Sequence, residues 1–82
     1  MIYCVEDDAG IRELVVYTLQ NTGMEARGLE DGGALFAALR EKKPQLILLD
    51  IMLPGEDGIS ILRRLRDTQE TADIPVILLT AK

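Results

Sequence analysis

The sequence predicts an open α/β fold, a doubly wound parallel sheet in the order β-α-β-α-β-α-β. Three observations predict it. Short apolar runs without alternation, at residues 1–5, 46–49 and 76–79, suit strands buried on both faces. Between them lie segments whose apolar residues recur at three- and four-residue spacing, as on one face of a helix. Crossovers of that length imply parallel strands joined by right-handed connections, with helices on both faces of the sheet.

Each element follows in order. Residues 1–5 (MIYCV) read as the first strand, and polarity then flips at Glu6-Asp7-Asp8. From Ala9 to Asn21, the positions Ile11, Leu14, Val15, Thr18 and Leu19 mark a helix face, with Asp8 as N-cap and Gly23 as stop. Residues 25–29 fit a weaker, exposed edge strand, and Asp31-Gly32-Gly33 supplies a turn. Leu35, Phe36, Ala38 and Leu39 mark a second helix, ended by Lys42-Lys43-Pro44, whose lysines suit the negative end of the helix dipole.

Residues 46–49 (LILL) are the most apolar stretch and run straight into Asp50. Leu53-Pro54-Gly55 and Asp57-Gly58 form a loop rich in turn residues. Ile59, Ile61, Leu62 and Leu65 make the apolar side of a third helix, with Arg63, Arg64 and Arg66 outward. An irregular link over 67–73 leads to Ile74-Pro75, where the first residue of a strand tolerates proline. The fourth buried strand follows and ends at Thr80.

Length and composition bound the rest. At 82 residues the chain is expected to be one domain, 1–82, and its 48% hydrophobic content is enough for a core. A net charge of −5 argues against nucleic-acid binding by this segment. With no histidine, any site must be made of oxygen groups. The single cysteine, Cys4, permits no internal disulfide, suits a reducing cytoplasm and reads as a small buried strand residue. No apolar run approaches the roughly 20 residues of a membrane span, and Met1 leads directly into a strand; the expected location is the cytoplasm.

In an open parallel sheet, ligands bind beyond the carboxyl ends of the strands, where strand order reverses. Glu6 and Asp7 follow the first strand, Asp50 ends the third and Thr80 ends the fourth. If the first and third strands are neighbours, three carboxylates meet in one crevice. Their mutual repulsion couples their titration, and a hard divalent cation such as Mg²⁺ relieves it. A carboxylate beside such an ion can attack phosphorus and form an aspartyl phosphate, with Thr80 hydrogen-bonding a phosphoryl oxygen. Taken singly, Asp8, Asp31 and Asp57 read as helix caps or turn residues. The conjunction of three strand ends is what points to a site.

These residues also match a family. Val5-Glu6-Asp7-Asp8 with Ile11-Arg12, residues 48–55 (LLDIMLPG) with Asp57-Gly58, and residues 75–81 (PVILLTA) closely resemble response-regulator receiver domains of two-component signalling. The stretch around Asp50 is most similar to the winged-helix transcription-factor branch. The resemblance implies a flavodoxin-like sheet in which Asp50 accepts phosphate from a sensor histidine kinase and controls an output in the full-length protein. It implies that Asp7 ligates Mg²⁺ directly, Glu6 acts largely through water, and the backbone carbonyl of Met52 completes the protein ligands. Thr80 would sense the phosphoryl group, Ala81 would leave it room, and Pro54 and Gly58 would shape the loop after Asp50. Kinase docking around Gly10, Ile11 and Leu14 is implied as well.

The family continues into a fourth helix, a fifth strand with a phosphate-binding lysine, and a fifth helix. That helix-strand-helix is absent from these 82 residues, and Lys82 is not that lysine. The expectation is a C-terminally incomplete receiver, with the fourth strand an uncovered edge and one sheet face covered by the first helix alone. Such surfaces favour a dimer or a domain-swapped association. Tyr3 reads as a strand residue, Tyr17 as a partly exposed helix residue, and Met24 and Phe36 as core or near-core fillers. Met52, two positions after Asp50, cannot orient an attacking water by hydrogen bonding, which predicts no enzyme and at most slow self-dephosphorylation.

Three rival functions make different demands on the same residues. A Mg²⁺-dependent phosphohydrolase of the dehalogenase type wants a second Asp where Met52 stands. A nucleotide- or flavin-binding module wants a glycine- or hydroxyl-rich loop where Glu6-Asp7-Asp8 stands. An inactive structural fragment would show no phosphorylation at all.

Overall fold

A computed structural model describes residues 1–79. The elements are β1 (Ile2–Val5), α1 (Ala9–Asn21), β2 (Ala26–Leu29), α2 (Gly32–Glu41), β3 (Leu46–Asp50), α3 (Gly58–Asp67) and β4 (Val76–Leu79). All pairings are parallel, and the sheet order is β2-β1-β3-β4. The chain therefore steps outward from β1 to β2, then crosses back over β1 to β3 and on to β4. Right-handed crossovers in opposite directions place α1 on one face of the sheet and α2 and α3 on the other. The predicted doubly wound architecture is the one observed.

Strand alternation sorts the side chains between the two faces. Tyr3 and Val5 lie in register with Ile47 and Leu49, and these four face α2 and α3. With Leu35 and Ala38 of α2 and Ile61 and Leu65 of α3 they form one continuous buried cluster. Gly32 helps α2 approach α3, since a Cβ there would stand 3.0 Å from Cδ1 of Ile61. The Tyr3 hydroxyl donates to the carbonyls of Lys42 at 2.6 Å and Ala38 at 3.3 Å. The Lys42 carbonyl lies past the last turn of α2 and gains its partner here, while the Ala38 carbonyl already accepts the Lys42 N–H at 3.0 Å.

The opposite face carries Ile2, Cys4, Gly28, Leu48 and Ile77, and α1 packs on it over β1 and β2. Here one expectation is corrected. Ile11, Leu14 and Thr18, read as the inward stripe of α1, are exposed, and Leu14 is 65% exposed. The half-buried positions are Arg12, Val15, Val16 and Leu19. Both sets follow helical spacing and share Val15 and Leu19, so periodicity alone does not choose between them. The choice falls to Gly28 on β2, which lets Arg12 and Val16 lie against the sheet. Met24 is also exposed rather than near the core, whereas Phe36 packs against the cluster as expected.

The caps agree with the residue types. Asp8, Asp31 and Asp57 each accept a backbone N–H three residues on, from Ile11, Ala34 and Ser60. Asp31 is thus an N-cap and Gly32-Gly33 already belong to α2, where a separate turn was expected. Gly23, at φ 89°, ends α1 in the left-handed conformation that glycine adopts without penalty. Arg66 is not simply outward: it donates to the carbonyls of Ala72 and Ile74 and ties the 67–73 link to α3. Arg64 lies over the Phe36 ring at 4.0 Å and pairs with Glu56.

Candidate functional site

The sheet order makes β1 and β3 neighbours, so the residues that leave their carboxyl ends share one edge. Val5 pairs with Leu49 in register, which sets Glu6 beside Asp50. One carboxylate oxygen from each of Glu6, Asp7 and Asp50 lies within 4.8 Å of the others. Glu6 and Asp50 are both 8% exposed, while Asp7 is open to solvent. The apolar strands carry Glu6 and Asp50 into the protein, and Asp7 remains at the rim.

Backbone groups orient this cluster. The Asp8 N–H donates to Oε2 of Glu6 at 3.0 Å, and the Met52 N–H donates to Oδ1 of Asp50 at 3.1 Å. Burial raises the Glu6 carboxyl above its ordinary value; the Asp8 N–H works against that, and the charges of Asp50 and Asp7 add to it. Burial, with the charges of Glu6 and Asp50 behind it, also pushes the Cys4 thiol up, so Cys4 is an inert strand residue.

The loop after Asp50 is fixed by steric fit. Gly58 donates its N–H to the Ile51 carbonyl at 2.9 Å. A Cβ on Gly58 would collide with the Asp50 carbonyl oxygen and stand 2.7 Å from Cα of Ile51. Gly55, at φ 77°, turns the chain between these points. Met52, Leu53, Pro54, Ile59 and Arg63 line an open cleft of about 710 Å³ that reaches Asp7.

The donor set suits a hard divalent cation. Oxygens around an octahedral Mg²⁺ at about 2.1 Å stand roughly 3.0 Å apart when adjacent and 4.2 Å when opposite. Three carboxylate oxygens within 4.8 Å of one another need only small adjustments to share one ion, directly or through its waters. Thr80, Ala81 and Lys82 lie outside the described residues, so the fourth strand end enters this site from the sequence only.

The family profile for the response regulator receiver domain matches residues 2–82. The chain belongs to the response-regulator receiver family. The receiver domain is 46% identical over 81 residues to the phosphate regulon transcriptional regulatory protein PhoB of Pseudomonas aeruginosa, covering 99% of this chain and 35% of that protein. It is 40% identical to the DNA-binding response regulator MtrA of Mycobacterium leprae over the same shares. The receiver thus spans about a third of the length of the curated relatives it matches.

Among solved structures, the N-terminal domain of a response regulator receiver protein from Methanoculleus marisnigri superposes with a TM-score of 0.94 at 37% identity, covering 99% of this chain and 66% of that one. The chemotaxis protein CheY4 of Vibrio cholerae superposes at 0.92 with 26% identity, covering 99% and 68%. The flavodoxin-like sheet expected from the sequence is therefore the family's fold, and the similarity to PhoB and MtrA agrees with the transcription-factor branch.

Sequence reasoning brought Glu6, Asp7 and Asp50 together correctly and gave no role to Arg12 or Gly28. The signal for Gly28 was present. A glycine inside a strand marks a place where another group comes close.

Proposed function

We propose that this receiver accepts a phosphoryl group on Asp50 from a sensor histidine kinase, with Mg²⁺ held by Glu6, Asp7, Asp50 and the backbone carbonyl of Met52. The convergence of Glu6, Asp7 and Asp50 at one sheet edge supports this reading. When bound, Mg²⁺ neutralises charge on the transferring phosphoryl group. Glu6, whose Oε2 is engaged by the Asp8 N–H, acts largely through water, and Asp7 at the open rim ligates directly. The Asp50 carboxylate forms the new O–P bond as the donor's bond to phosphorus breaks. Thr80 then donates to a phosphoryl oxygen, and Ala81 leaves room for it.

The receiver unit spans residues 1–82 of a longer cytoplasmic regulator whose output is transcriptional; the names of its relatives support the transcriptional output. The protein is a signalling domain rather than an enzyme, and its self-dephosphorylation is slow, because the Met52 side chain offers no hydrogen bond to orient a water. Replacing Met52 with Asn should speed loss of phosphate. The half-exposed Ile77 on β4 supports association between copies through that strand.

The deciding experiment is incubation with Mg²⁺ and acetyl phosphate, read by intact mass. The wild type should gain one phosphoryl group and Asp50→Asn none. An unmodified wild type, or equal modification of Asp50→Asn, overturns the assignment.

A further inference from the structure

Arg12 sits in α1 yet reaches back to the loop that carries the acidic residues. Its Nη1 donates to the carbonyl of Glu6 at 2.8 Å and lies 3.4 Å from the carbonyl of Asp7. The guanidinium therefore grips the two residues that supply two of the three carboxylates, and it does so through their backbone. Its aliphatic stem lies over β2, where Gly28 leaves the space. A Cβ at Gly28 would stand 2.7 Å from Cγ and 3.0 Å from Cδ of Arg12, but an ordinary 3.4 Å from Cγ2 of Val16.

This arrangement solves a problem the cluster poses. Three carboxylates within 4.8 Å of one another repel, and a cation bonded to their oxygens would compete with any metal. Arg12 brings positive charge close to the cluster while hydrogen-bonding carbonyl oxygens only, so it fixes the peptide planes of Glu6 and Asp7 and leaves their carboxylates open. Both contacts come from the one nitrogen, Nη1, so a lysine ammonium that reached the same point would make part of them.

We infer that Arg12 is a positioning residue for the acidic cluster and that Gly28 is the slot its side chain requires. The inference rests on reading the cluster as a divalent-cation site. The test is calorimetric titration of Mg²⁺ into the wild type, Arg12→Ala, Arg12→Lys, Gly28→Ala and the Arg12→Ala/Gly28→Ala double variant, with far-ultraviolet circular dichroism as the check on folding. Arg12→Ala and Gly28→Ala should each weaken Mg²⁺ binding by about tenfold, as changes in the partners that orient metal ligands do. Arg12→Lys should recover part of that loss. Gly28→Ala should add little once Arg12 is gone, because the group it displaces is absent.

A wild type that binds no Mg²⁺ overturns the reading of the cluster itself. Normal binding by the wild type and equal binding by Arg12→Ala overturns the role of Arg12 alone. Additive losses in the double variant overturn the role of Gly28. Should Arg12→Ala fail to fold, Gly28→Ala against Arg12→Lys decides: wild-type affinity in both is the overturning result.

Discussion

The two faces of this sheet are packed to different depths. Against α2 and α3, Tyr3, Val5, Ile47 and Leu49 meet Leu35, Ala38, Ile61 and Leu65 in a cluster closed to water. Against α1, the strand centre at Cys4 is buried, yet no residue of α1 itself is, and Leu14, Tyr17 and Ile77 are half-exposed or more. The same kinds of apolar residue do different work on the two sides. One face supplies stability, and the other offers surface and, through Arg12, reaches the acidic edge. Asp50 stands where the two meet, at the end of a strand whose Ile47 and Leu49 are fully buried.

Substitution tests this contrast. Leu65→Ala, which empties a fully buried site, should cost about 2–5 kcal/mol in denaturant unfolding. A cost below that of Leu14→Ala would break the comparison. Tyr3→Phe removes the hydroxyl that serves the carbonyls of Ala38 and Lys42, and should cost about 1 kcal/mol. An unchanged midpoint would mean that water satisfies the end of α2 equally well.

The acidic edge sharpens the comparison through pH. The Glu6 carboxyl is raised above 4.5 in the folded protein, chiefly by burial, so the folded state binds its proton more tightly than the unfolded chain. Its contribution is fully present below the unfolded value and is lost as pH rises through the folded one. The metal-free protein should therefore lose stability as pH climbs from that range towards neutral, and Glu6→Gln should flatten the fall. The same slope in both proteins would place the effect elsewhere.

The smallest effects belong to the open face. Leu14→Lys and Ile77→Lys should each change stability by within about 0.5 kcal/mol. If β4 mediates association between copies, Ile77→Lys should also shift the mass measured by light scattering towards the monomer. A dimer that survives this change would exclude the route through Ile77.

Most of the fold was legible because its signals are local. Uniformly apolar runs ending in Glu6 and Asp50 fix strands and their direction, and an Asp before each helix fixes where it starts. The face of α1 was not legible, since Ile11, Leu14 and Thr18 compete with Arg12 and Val16 around the shared Val15 and Leu19. What decided it was a glycine on another element. Met24 was misplaced for a similar reason: an apolar residue beside a glycine turn carries no periodicity to place it.

By itself, then, the sequence determined the order of elements, the capping aspartates and the three strand ends that bear unusual polar groups, because propensity, capping and hydrophobic period act over a few residues. Only the tertiary structure decided that Glu6, Asp7 and Asp50 share one edge within 4.8 Å of one another, that Gly58 must lack a side chain, and that Arg12 reaches back across Gly28. Those facts depend on which strands become neighbours and how closely their backbones approach. Neither is written in any short stretch of chain.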